Sequence, residues 1–237
     1  MERGVRLRIL NKYFIIIYRI FFLMICGYGL YLNSGLSDGV FQPQMFLYYT
    51  ILSNLVCFIF IGGCLVKNLR EFHTWSPMGI HTILPRVKGS ITMCITVTFI
   101  IYHFILAPTA FIMSPDYSLY SMRDIIVHYV VPFMMIFDWI LLDKKGLYRI
   151  TEPLLWIGLP YVYLIFALVR GYFGGSITPG GSKYPYFFLD IEKVGSAGVI
   201  KYTLGLTAFF IILGYLILGI DKVLDKTDIK KNVQNGL

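Results

Sequence analysis

Six long apolar runs divide this sequence, over about 13–33, 45–66, 91–113, 124–142, 153–170 and 198–220, and the stretches between them hold most of its charges. Crossing ~30 Å of hydrocarbon as a helix takes about 20 apolar residues, and each run is close to that length. None alternates apolar and polar positions as a barrel strand does. Lipid offers no partner to a backbone N–H or C=O, so helices are the remaining way to cross it. The pattern therefore predicts an all-α polytopic membrane protein, 1–237 forming a single six-helix transmembrane domain with short loops.

Composition strengthens this reading. Of 237 residues, 57% are hydrophobic and 14% charged, against about a quarter charged in soluble domains. The first run follows basic residues as a secretory signal does. It is longer than a signal core, however, and Asn33-Ser34-Gly35 is a poor cleavage site, so it reads as a retained anchor.

Charge placement predicts orientation. Arg3, Arg6, Arg8, Lys12, Lys67, Arg70, Arg86, Lys88, Lys144, Lys145, Arg149, Lys222, Lys226, Lys230 and Lys231 fall on one side of a six-span thread, and Arg123, Arg170, Lys183, Lys193 and Lys201 on the other. The positive-inside rule then puts both termini in the cytoplasm and the chain in the cell membrane. The net charge of +8 reads as a signal of topology and of anionic lipid, with no nucleic-acid partner expected.

Cys26, Cys57, Cys64 and Cys94 lie in or beside apolar runs without paired short spacing. They read as packing residues, and neither a disulfide framework nor a metal site is expected. The connection after the fifth run is the unusual one. It carries Gly171-Tyr172-Phe173-Gly174-Gly175, Pro179-Gly180-Gly181 and an aromatic cluster from Tyr184 to Asp190. So apolar a loop is expected to cap the bundle at the outer interface, or to serve as an aromatic belt.

Polar residues inside the spans are costly and mark structure or function. Arg19 and Asp138 lie at similar depth near the inner side, which fits an ion pair; a proton or substrate relay is the alternative. Thr50, Ser53 and Asn54 open the second helix, and His128 lies about as far into the fourth. At 1.5 Å per residue, Thr50 and His128 share a level near the outer side. A hydroxyl beside an imidazole is a minimal nucleophile and base, although a threonine bonded to its own helix and a packed histidine give the same pattern. His103 could complete the polar pocket or bond between helices, and Asp124, one turn before His128, could orient the imidazole or cap the helix.

Three segments carry a family resemblance: Phe46-Leu47-Tyr48-Tyr49-Thr50-Ile51-Leu52-Ser53-Asn54-Leu55, His128-Tyr129-Val130-Val131-Pro132-Phe133 and Tyr184-Pro185-Tyr186-Phe187-Phe188-Leu189-Asp190. In this order they resemble the androgen-induced and androgen-dependent six-span membrane proteins, which are intramembrane threonine hydrolases of fatty acid esters of hydroxy fatty acids. Uncharacterised bacterial six-span relatives are similar too and share the Asp138-Trp139 pair. The resemblance implies Thr50 as nucleophile and His128 as general base, with His103 in reserve. It also implies a lipid ester substrate among membrane lipids and no cofactor. Asn54 or loop amides near Tyr184 are candidates for the oxyanion, with Ser53, His103, Asp124, Tyr184 and Tyr186 around the pocket. Two other classes stay open: a transporter or channel lined by Arg19, Asp138, His103 and His128, and a lipid-binding protein without chemistry.

Overall fold

The computed structural model describes residues 8–76, 79–109, 121–177 and 181–234, with side chains as far as Lys226. Arg3, Arg6, Pro77, residues 110–113, Pro179, Gly180 and the side chains of Lys230 and Lys231 lie outside the described residues. Among those described the chain is helical, without a strand. Six helices are long and apolar enough to cross a membrane: α1 (Lys12–Asn33), α2 (Tyr49–Arg70), α3 (Pro85–Thr109), α4 (Met122–Leu142), α5 (Glu152–Phe173) and α6 (Ile191–Lys226). The protein is a multi-pass membrane protein.

Local chemistry sets where the helices begin. Asn11 caps α1, its side chain accepting from the N–H groups of Tyr13 and Phe14, and Gly35 at φ 77° turns the chain away beyond it. The second apolar run starts at 45, yet Pro43–Leu47 forms a 3₁₀ turn and α2 begins only at Tyr49. α3 begins at Pro85 rather than near 91, because proline is well placed in a first helical turn. α6 begins at Ile191, where the Asp190 carboxylate accepts from the N–H groups of Glu192 and Lys193, and it breaks at Gly195 (φ 68°, ψ 166°).

α4 is wound unevenly. It widens into π-helical turns at Ile126–Val130 and Asp138–Leu142. Pro132 explains the first: it has no N–H, and its ring crowds the carbonyl four residues back, that of His128. The turn that carries His128 is opened by the sequence itself.

One core, with Phe22, Cys26, Cys57, Ile61, Ile95 and Met135, joins α1 to α4. A second, with Met93, Trp139, Trp156, Phe210 and Ile217, joins α3 and α4 to α5 and α6. Elements meet closely where a side chain is missing: a Cβ on Gly29 of α1 would lie 2.5 Å from Ile126 of α4, and one on Gly171 of α5 would lie 2.1 Å from Tyr184 of the aromatic loop. The four cysteines are buried and free.

The expected Arg19–Asp138 pair is present, within a larger cluster. The Arg19 guanidinium spans both Asp138 oxygens at 3.1 Å and donates to Asn68 and to the His81 carbonyl at 2.6 Å. Lys88 reaches Asp138 and, at 2.6 Å, Asp143, which also accepts from Thr82 at 3.0 Å. Arg19, Lys88 and Asp138 are completely buried. Two cations against two carboxylates leave the cluster neutral, the condition under which buried charge is tolerated.

Beside it, in the connection after α4, Lys145 lies buried with its ammonium 4.3 Å from the Trp139 ring centre, donating to the Trp139 carbonyl. Burial pushes this ammonium down from 10.5 to about 8. Between those two values the unfolded chain holds a proton that the folded one has released, so stability rises with pH across that window. Thermal unfolding in detergent is expected to show an upward slope from about pH 8 that Lys145→Met removes; parallel curves for the two proteins would refute the burial cost.

Candidate functional site

Thr50 stands in the first turn of α2, behind Tyr48, which supplies no side-chain cap. The Thr50 hydroxyl lies 3.2 Å from His128 Nε2, and both residues are 8% exposed. On the far side of the imidazole, Nδ1 is 3.1 Å from the Asp124 carbonyl oxygen. A carbonyl only accepts, so Nδ1 carries the proton of the neutral ring. Nε2 is thereby left with its lone pair facing the Thr50 hydroxyl.

Packing fixes this geometry. Tyr102 stacks on the imidazole with centroids 3.5 Å apart and planes within 10°. The Asn54 amide donates to the Thr50 carbonyl at 2.8 Å and the Val127 carbonyl at 3.0 Å, tying α2 to the opened turn of α4. Ser53 bonds the Thr50 carbonyl at 2.9 Å and the Thr98 hydroxyl at 2.8 Å. Asn54 and Ser53, candidates for the oxyanion pocket in the sequence, thus hold the backbone under Thr50. The Asp124 carboxylate is 3.7 Å from Nδ1, beyond hydrogen-bond range, and accepts from Ser121 at 2.9 Å. Asp124 orients the imidazole through its backbone.

The remaining candidates separate. Tyr186 lies with Thr50 in the wall of one pocket, its ring 6.2 Å from that of Tyr48 and 6.3 Å from that of Tyr163, and burial pushes its phenol up to about 12. The N–H groups of Tyr49 and Thr50 belong to the first turn of α2, which has no side-chain cap and no helical carbonyl a turn behind to accept from them. Tyr184 is buried instead against Ala167, Phe188 and Leu189. His103 sits on the exposed side of α3, 3.1 Å from the Tyr129 hydroxyl, and is not part of the Thr50 pocket.

That pocket is a cleft of about 80 Å³ between α2, α3, α5, α6 and the aromatic loop, or about 680 Å³ with its open side included. Thr50, Thr98, Tyr163 and Tyr186 lie in its wall, and Val97, Ile101, Leu164, Phe188, Leu206 and Phe210 make most of the rest apolar. Across its α5–α6 side Tyr161 bonds Thr207 at 2.9 Å. An apolar cleft with a few convergent polar groups is the usual form of a small-molecule site. Among the described residues no His, Cys, Asp and Glu group is arranged to hold a metal. Tyr102 and Tyr163 were not singled out in the sequence, and Lys88 was read there only as a charge that sets orientation; His103 pointed at α3 but not at the tyrosine beside it. No family model, curated protein or solved structure matches the chain.

Proposed function

We propose that the protein is an intramembrane hydrolase of lipid esters, with Thr50 as nucleophile and His128 as general base. The observation that carries this reading is the 3.2 Å approach of the Thr50 hydroxyl to the unprotonated nitrogen of an oriented imidazole, at the wall of an apolar pocket. In the first half-reaction, Thr50 Oγ1 bonds the acyl carbon as its proton moves to His128 Nε2. The tetrahedral oxyanion is met by the α2 amides and the Tyr186 hydroxyl. It collapses by expelling the alcohol oxygen, which takes the proton from His128. A water then gives a proton to His128 and attacks the acyl-threonine, and Thr50 leaves with that proton as the acid is released.

A transport pathway is less well supported. Arg19, Lys88, Asp138 and Asp143 neutralise one another in a sealed cluster, and His103 lies on the opposite side of α3 from the pocket. Purified protein in detergent should release acid from p-nitrophenyl palmitate, and proteoliposomes should show no solute flux dependent on Asp138. Flux without hydrolysis would reverse the assignment.

On the excess of Lys and Arg we further propose that the end bearing Lys12, Arg70 and Arg86 faces the cytoplasm with both termini, and that the Thr50 end lies toward the outer face of the cell membrane. Since the native cysteines are buried, an impermeant maleimide should label Gly175→Cys on intact cells and Glu71→Cys only after permeabilisation. The opposite pattern would invert the topology.

A further inference from the structure

The Thr50 pocket is closed on one side by Ile101 of α3 and Leu206 of α6, and the same two side chains line a second cavity beyond them. This second cavity, about 1210 Å³ with its open side included, is a groove between α3 and α6. Gly198 and Gly205 lie two turns apart on α6, so they fall on nearly one face and leave a furrow in it. A Cβ on Gly205 would meet nothing within 4 Å. The opposite lip is Phe104, 67% exposed, in the π-helical turn Tyr102–Leu106 of α3.

We propose that this groove is a lateral portal for the acyl chain of a lipid ester, and that Ile101 and Leu206 are its gate to Thr50. The proposal rests on the hydrolase reading and names how its substrate arrives. Three observations select the occupant. The groove runs along two membrane-spanning helices, so what reaches it from the side is the bilayer. Its lining is aliphatic, aromatic and glycine, except for Lys201, whose long stem lets the ammonium reach the headgroup layer while its methylenes lie against the furrow. It also shares Ile101 and Leu206 with the Thr50 pocket, and side-chain rotamer changes are among the faster motions of a protein.

Gly205→Trp would fill the groove from a position that does not line the Thr50 pocket. Hydrolysis of p-nitrophenyl palmitate and of the short, water-soluble butyrate should diverge. The portal predicts that kcat/KM falls by about tenfold or more for palmitate and changes little for butyrate. Equal losses on both esters, or none on palmitate, would overturn it. If the parental protein cleaves neither ester, the hydrolase reading fails, and the portal is judged by a binding readout. In vesicles holding phosphatidylcholine with a diazirine on its acyl chain, illumination should label 198–209 and 100–105, and Gly205→Trp should remove that label. Labelling elsewhere would overturn the portal, as would a disulfide from a cysteine at Phe104 to one within 110–120, which would show the groove filled by the chain itself.

Discussion

Replacing Thr50 by Ala is expected to lower kcat for long-chain ester hydrolysis by about 10⁴-fold or more, since the variant has no oxygen to acylate. The fold should survive, because Ser53 and Asn54 hold Thr50 by its carbonyl and not by its hydroxyl. Thr50→Ser keeps the nucleophile and should retain part of the rate. His128→Gln removes the base and should cost nearly as much as Thr50→Ala, while the double variant should cost little more, because members of one catalytic unit are not additive. Tyr186→Phe keeps the ring and removes one oxyanion donor, for an expected loss of about 10²-fold in kcat with KM little changed. Additive losses for Thr50 and His128 would show that they act separately.

The second large effect concerns the buried charges. Asp138→Asn would leave Arg19 and Lys88 facing Asp143 alone, and stripping one partner from a buried ionic group costs about 3–5 kcal/mol. Folded yield and thermal midpoint in detergent should drop sharply, while kcat of the protein that does fold should stay near the parental value, since the cluster is distant from Thr50. Removing a cation together with the carboxylate, in Lys88→Met with Asp138→Asn, restores the balance of one against one. The double variant should therefore be more stable than the sum of the two single effects. Additivity would mean that Lys88 and Asp138 do not share their charge.

Much of this was legible in the residues. Six runs long enough to span lipid gave six helices, and equal depth brought Thr50 to His128 and Arg19 to Asp138. What depth could not give was direction around each helix. His103 could have completed the pocket, but the packing of α3 turns it outward to Tyr129 and turns its neighbour Tyr102 onto His128. Lys88 looked like one more topogenic cation; only the early start of α3 at Pro85 carries it inside, to the carboxylates. The π-helical turn at His128 leaves a trace in Pro132, yet its outcome, an amide of Asn54 bridging two helices, depends on tertiary contact.

The most direct test of the Thr50 and His128 assignment is peptide mass spectrometry of the purified protein after a fluorophosphonate, which reacts with hydroxyls whose proton a neighbouring base accepts. The account predicts a single adduct on Thr50 in the parental protein and none in His128→Gln. An adduct on another residue, or ester hydrolysis persisting at the parental rate with Thr50 unmodified, would contradict it.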